Sequence, residues 1–198
     1  MLHGLDLSIL YFFNHQMANP VLDGFFLFIA ESKIFLTFLI LFALVLFYRG
    51  SFRLKMVIIL MIICIAIVDP VCYYILKPLI GRIRPCYTLH DIRLLVGCGG
   101  RFGFPSNHAA NSFAIAGLIS YFYRKYTAIL ATVAVLICLS RIYLGRHYPS
   151  DVLGGAIFGL LVAALVIYLA RLLLNLLASR GYMKIAVGKI QGALFWRK

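Results

Sequence analysis

Residues 140–151 read S-R-I-Y-L-G-R-H-Y-P-S-D, from Ser140 to Asp151, where the apolar run 127–144 gives way to the apolar run 152–177. Runs of that length predict helices that cross a bilayer, because about 20 residues rising about 1.5 Å each span about 30 Å of hydrocarbon. The polar stretch therefore sits at a membrane edge. Its chemistry reduces to S-R-x5-H-x3-D: Arg141 is a fixed cation, His147 an imidazole able to act as a nucleophile, and Asp151 a carboxylate able to orient it. Ionisable groups are costly there unless they serve a polar ligand or one another, and this set suits phosphate chemistry.

The remainder of the chain agrees with a membrane protein. Its 198 residues are 64% hydrophobic and 13% charged, with a mean hydropathy of +0.99, which argues against a soluble domain with one core. The formal charge of +13 does not point to nucleic acid. Basic residues flanking apolar spans set orientation and meet anionic lipid, and no basic helix face or zinc-type spacing accompanies them. Cys64, Cys72 and Cys138 lie in apolar runs and read as small buried thiols. Cys86 and Cys98 bracket a polar loop; they are either a disulfide, if that loop meets an oxidising compartment, or two free thiols.

The segment 1–19 carries His3, Asp6 and His15 but no Lys or Arg, so it lacks the basic start of a cleavable signal peptide. Apolar and polar residues mix over Leu5–Phe13, which suits a short helix lying along the interface. Residues 20–48 are interrupted by Glu31, Ser32 and Lys33, giving either one long tilted span or a short helix followed by a span. Residues 56–76 and 152–177 should cross, and 109–123 with 127–144 should form an antiparallel pair turned at Arg124, Lys125 and Tyr126. The expected fold is all-α: a polytopic membrane helical bundle of five or six transmembrane helices plus a short N-terminal interfacial helix. It is expected to be a single domain over 1–198, with an outer loop at 77–108 and a basic cytoplasmic tail at 178–198.

Following that path, Lys77 ends one span, His108 begins the next, Ser140 and Arg141 end the returning one and His147 begins the last. All fall on one side. The other side receives Arg49, Arg53, Lys55, Arg124, Lys125, Arg171, Arg180, Lys184, Lys189, Arg197 and Lys198, eleven of the nineteen Lys and Arg residues. The positive-inside rule makes that side cytoplasmic and turns the motif face outward, to the periplasm or cell exterior.

Two further motifs share the outward face: Lys77–Pro85 reads K-x6-R-P and Pro105–His108 reads P-S-N-H. A phosphoryl group held beside a low-dielectric bilayer needs several cations and N–H donors. Lys77, Arg84 and Arg141 supply cations, Ser106 a hydroxyl, and the Asn107 N–H stands where a helix N-terminus binds anions. Pro149 suits the first turn of a helix, so Asp151 can hold one imidazole nitrogen of His147 and leave the other to attack phosphorus. His108, a second imidazole, is the available general acid. The six carboxylates, Asp6, Asp23, Glu31, Asp69, Asp91 and Asp151, are scattered instead of clustered as a two-metal site requires. No metal or other cofactor is expected.

The three motifs, in this order, resemble the signature of the type-2 phosphatidic acid phosphatase and vanadium haloperoxidase superfamily. The resemblance covers residues 77–151 and implies that Lys77, Arg84, Ser106 and Arg141 bind phosphate. It further implies that His108 is the acid, that His147 becomes phosphorylated and that Asp151 positions it. One departure is visible: Asn107 stands where the family usually has glycine, and asparagine tolerates positive φ better than other non-glycine residues. The resemblance implies a bacterial inner-membrane enzyme that hydrolyses a lipid phosphate or pyrophosphate at the outer leaflet through a phosphohistidine and releases inorganic phosphate. Candidate substrates are undecaprenyl pyrophosphate, lipid A 1-phosphate and phosphatidylglycerophosphate. A lipid phosphotransferase would use the same phosphohistidine, and a non-enzymatic lipid transporter is the remaining alternative.

Several residues have plainer readings. A single membrane-edge His or Arg is more often a snorkelling or satisfied polar group; it is seven in register that point to a site. Asp69, with Pro70 inside a span, reads as a kink and a structural hydrogen bond or ion pair. Arg82, Arg93 and Arg101 read as solvated loop charges on the outer face or as contacts to a second anionic group, with the loop charge favoured, whereas Arg146, beside His147, is a candidate head-group contact.

Overall fold

The computed structural model describes residues 2–31, 33–179 and 192. Apart from Ala178, Ser179 and Gly192, the basic tail expected over 178–198 lies outside the described residues. The described residues form helices α1 Leu2–Tyr11, α2 Pro20–Glu31, α3 Lys33–Arg49, α4 Phe52–Pro70, α5 Lys77–Ile80, α6 Pro85–Thr88, α7 Asn107–Phe122, α8 Thr127–Tyr143 and α9 Pro149–Ser179. No strand occurs among them beyond one isolated bridge between Ile83 and Phe102.

Pro70 does not end its helix. It lacks an N–H, and the chain absorbs the missing bond in a π-helical turn, Val71–Leu76, that carries α4 into α5. The combined helix, Phe52–Ile80, is long and apolar enough to cross a membrane, as are Arg124–Tyr143 and Pro149–Leu177. One face of α9 exposes Leu153, Ile157, Leu160, Leu161 and Leu165, the outward apolar surface that a bilayer requires. The opposite face buries Val152, Ala156, Val162, Ala163 and Val166.

Between 20 and 48 the structure takes the short helix followed by a second helix. Asn19, just before α2, meets the Tyr143 hydroxyl, and Glu31 at its other end meets Arg141 and Arg146. Both ends of α2 thus lie at the motif end of the bundle, so α2 does not carry the chain across it. That leaves α3, α4–α5, α7, α8 and α9 as the long helices of the bundle, three of which have the length and hydropathy of a membrane span. At the far end, Arg53 donates to the carbonyl of Phe122 at 2.7 Å, closing the last turn of α7.

The central contact is α7 on α9, and small residues make it close. A Cβ on Gly159 would lie 2.0 Å from the carbonyl oxygen of Ala110, and one on Gly155 would lie 2.4 Å from that of Ser106. Gly155 and Gly159 form a G-x-x-x-G pair facing Ala109, Ala110 and Ala114, the arrangement that lets helices approach when lipid supplies no hydrophobic drive. This approach sets the start of α7 beside the start of α9.

The N-terminal helix docks at the same end. Leu10, Asp6 and Asn14 are buried, while Leu5, Ile9 and Phe12 remain exposed, an apolar outer side that suits an interface. Asn14, in the π-helical turn Phe12–Gln16 that continues α1, donates from Nδ2 to the carbonyls of Arg93 and Tyr143, at 2.9 and 2.7 Å, tying this segment to the 77–108 loop and to α8. Within that loop Cys86 and Cys98 form a disulfide with Cα atoms 6.1 Å apart. Asp69 accepts from Asn107 and Asn111 at 3.1 and 2.9 Å, the structural role its sequence position suggested.

Candidate active site

The three motifs converge. Lys77, Arg84, Asn107, His108, Arg141, Arg146 and His147 line one cavity of about 420 Å³, together with Arg101, Tyr73 and Tyr74. Ser106 and Asp151 are completely buried beside it. Residues 64 positions apart, Lys77 and Arg141, share this cavity because α7 carries the chain away and α8 brings it back.

Two of the cations are held by backbone. Lys77 Nζ donates to the carbonyls of Gly103 and Pro105 at 3.2 and 2.7 Å, so the ammonium pins the loop that leads into α7. Arg84 Nε donates to the carbonyl of Gly100 at 2.7 Å and Nη1 to that of Arg146 at 3.2 Å. Arg141 is 1% exposed, and its Nη2 has no hydrogen-bond partner, an orphaned buried donor at the cavity wall. Ser106 Oγ is likewise buried and unpartnered. Such groups are costly unless a ligand satisfies them.

His147 Nδ1 lies 3.4 Å from Asp151 Oδ2, close but not aligned as a hydrogen bond. Its Nε2 faces Arg84 Nη1 at 2.8 Å. A guanidinium cannot accept, so Nε2 is the acceptor and carries the lone pair, which leaves the proton on Nδ1 toward Asp151. The sequence suggested that the second nitrogen is free. In this structure Arg84 occupies it, and the guanidinium must shift for phosphorus to approach. Burial, and next the nearby Arg84 charge, holds the His147 imidazole well below its ordinary range, so it stays neutral.

Asp151 is fixed from three sides. Its Oδ2 accepts from the Tyr148 N–H at 3.0 Å, its Oδ1 from Arg82 Nη1 at 2.8 Å, and its main-chain carbonyl from the Ser106 N–H at 3.0 Å. The last bond couples the second motif directly to the third. A Cβ on Gly103 would fall 2.8 Å from Asp151 Oδ2, so a side chain there would collide with the carboxylate.

Arg101, read from the sequence as a loop charge, lines the cavity, and three more residues at the site escaped the sequence reading. Glu31 pairs with both Arg141 and Arg146. Asp6 binds Arg82 and Ser150, and Arg82 reaches Asp151 instead of lying free in its loop. A carboxylate at a helix break and an arginine two residues before Arg84 were the available signals. Sequence separations of 110 between Glu31 and Arg141 and of 76 between Asp6 and Arg82 hid the pairings. Arg93 pairs with Asp23, away from the cavity.

Comparison with known proteins adds an independent line. The model of the PAP2 superfamily matches residues 57–173. The lipid A 4'-phosphatase of Bacteroides thetaiotaomicron is 43% identical over 102 residues, 48% of this chain and 45% of that protein, so the chain spans about half the length of this relative. The undecaprenyl-diphosphatase BcrC of Bacillus subtilis is 33% identical over 147 residues, 74% of each chain. The crystal structure of a transmembrane PAP2-type phosphatidylglycerolphosphate phosphatase from Bacillus subtilis superposes with a TM-score of 0.65 at 28% identity, covering 85% of this chain and 86% of that one.

Proposed function

This chain belongs to the PAP2 superfamily, and from that membership and the cavity geometry we propose that it hydrolyses a lipid phosphate or diphosphate through a phosphohistidine at His147. The observation that carries this reading is the cavity wall itself. Lys77, Arg84, Arg101, Arg141 and Arg146 converge on it with two imidazoles, and among the described residues Glu31 is the acidic partner of Arg141 and Arg146. So dense a set of cations repels itself unless an anion enters.

In this mechanism the head group displaces Glu31 from Arg141 and Arg146, and its phosphate takes the orphaned Arg141 Nη2. Arg84 swings from His147 Nε2 to a phosphoryl oxygen. The Nε2 lone pair then attacks phosphorus, a P–N bond forms and the P–O bond to the lipid breaks. His108 delivers a proton to the leaving oxygen, and Asp151 balances the charge that develops on the His147 ring. Water, deprotonated by His108, next attacks phosphorus, the P–N bond breaks and inorganic phosphate leaves. The cations stabilise charge on the transferring group throughout, and the reading is independent of any metal.

Orientation follows from charge and redox chemistry. The basic ends of the helices favour the cytoplasmic side, and a disulfide in the motif loop fits an oxidising exterior. We therefore put the site at the outer leaflet of a bacterial inner membrane, within one membrane-embedded unit over 1–198. Undecaprenyl diphosphate, lipid A phosphates and phosphatidylglycerophosphate are the candidate substrates, and the names of the relatives support all three. The test is phosphate release by purified protein in detergent with EDTA from each lipid, wild type against His147→Ala. Release that disappears in the variant supports the reading and ranks the substrates. No release from any lipid, with the fold intact, overturns it.

A further inference from the structure

Asp6 lies on α1, outside the residues that the family model matches, yet its carboxylate is almost completely buried at the motif end. Its Oδ2 accepts from Arg82 Nη2 at 2.5 Å and from Ser150 Oγ at 2.6 Å, and its Oδ1 accepts from the Ser150 N–H at 2.9 Å. Arg82 uses its other terminal nitrogen, Nη1, on Asp151 Oδ1 at 2.8 Å and also on Ser150 Oγ. Its guanidinium lies 4.3 Å from the ring centroid of Tyr148. Neither Asp6 nor Arg82 lines the cavity.

We propose that Asp6 and Arg82 are positioning residues for His147: α1 fixes the guanidinium, the guanidinium fixes Asp151, and Asp151 orients the nucleophile. The inference rests on the reading of His147 as nucleophile and Asp151 as its orienting carboxylate. The chemistry of the residues supports it. A guanidinium is a rigid planar fork, able to hold one carboxylate on each terminal nitrogen, which an ammonium cannot do. Asp151 is fully buried, so its charge needs a fixed partner, and Arg82 is the cation bonded to it. Asp6 also caps the first turn of α9 through the Ser150 N–H, which sets the register of Asp151 relative to His147. The cation is thus shared: held by Asp6, it steadies Asp151 without taking up the carboxylate's whole charge, which remains available to the His147 ring.

Asp6→Asn, Arg82→Met and Arg82→Lys in the full-length chain, purified in detergent, test this with two readouts. On the lipid that the wild type hydrolyses best, Asp6→Asn and Arg82→Met should lower kcat about 10–100-fold, the usual cost of losing an outer partner of a reacting group, with KM within about twofold. Arg82→Lys should recover part of the rate. The charges facing the His147–Asp151 pair are Lys77, Arg84, His108 and Arg141 on one side and Asp6 and Arg82 on the other. Removing a negative charge should move the acid limb of kcat/KM to lower pH in Asp6→Asn, and removing a positive one should move it to higher pH in Arg82→Met. A merely structural role would not give opposite shifts.

The second readout needs no turnover: the ¹⁵N spectrum of the His147 ring should show one tautomer in the wild type and a mixture in Asp6→Asn. An active wild type whose variants keep kcat, the acid limb and the single tautomer would overturn the positioning role. An inactive wild type with the expected ring spectra would sink the hydrolase reading and leave the positioning intact. Asp6→Asn preserves size and shape, so its fold can be verified by size exclusion and by undiminished binding of inorganic phosphate.

Discussion

Arg84 Nη1 donates a 2.8 Å hydrogen bond to His147 Nε2, so a phosphate-seeking cation covers the nitrogen expected to attack. The contact keeps the lone pair directed into the cavity and the proton on the Asp151 side. In Arg84→Ala the nitrogen is uncovered but the transferring group loses a donor. Losses of about 10²–10³ in kcat are expected, as for removal of one donor to a developing oxyanion. Rapid-quench detection of the phosphoenzyme checks it; formation at the wild-type rate would reduce Arg84 to a loop pin that holds Gly100.

Glu31 bridges Arg141 and Arg146, and a substrate phosphate must displace it. Glu31→Gln removes that competition. Inorganic phosphate should then inhibit about fivefold more tightly, the equivalent of about 1 kcal/mol for a partly exposed ion pair. An unchanged inhibition constant would show that the carboxylate does not compete with phosphate.

Gly155 and Gly159 admit no Cβ against Ser106 and Ala110. Gly159→Ala should cost about 1–3 kcal/mol, as overpacking of a tight contact does, and lower the thermal midpoint in detergent. It should also reduce activity, because forcing α7 from α9 separates His108 from His147. Thermal melts alongside phosphate release test both, and full activity with a lowered midpoint would uncouple packing from the site.

The pH dependence of stability has a definite sign. The ring of His147 is held well below its ordinary value of 6.5, mainly by burial and next by the Arg84 charge, so the folded chain keeps it neutral where the unfolded chain binds a proton. Protonation therefore favours unfolding, and stability should fall as pH drops below about 6.5. Asp6 acts in the same direction further down. Burial alone would raise its carboxyl, but bonds from Ser150 and Arg82 outweigh that and hold it below 3.8, so its contribution is lost as pH falls through that lower value. Thermal midpoints from pH 8 to 5 should decline for the wild type and decline less for His147→Asn; parallel curves would contradict the assignment.

Much of the site was legible because its chemistry is concentrated in short stretches. Apolar runs at 56–76, 109–123, 127–144 and 152–177 forecast the helices, and an even number of crossings between motifs forced Lys77, His108, Arg141 and His147 to one side. Asp69 was correctly read as structural. The sequence left open whether 20–48 is one long tilted span or a short helix followed by a span and whether Cys86 bonds Cys98, since both depend on where distant segments dock. The G-x-x-x-G pair was present in the sequence and went unread; it is the signal that would have predicted how closely α7 approaches α9.

The sequence by itself determined the all-α membrane architecture, the gathering of the three motifs on one side and the motif residues that meet at the cavity, though not Arg101, Tyr73 or Tyr74 beside them. These follow from hydropathy period and short-range spacing, which are properties of neighbouring residues. Only the tertiary structure decided that Glu31 neutralises Arg141, that Arg84 covers His147 Nε2, and that Asp6 holds Arg82 against Asp151. A charge can pair with any opposite charge that the fold brings within about 4 Å. That choice rests on the docking of α1 and α2 against the motif loop, which no local pattern encodes.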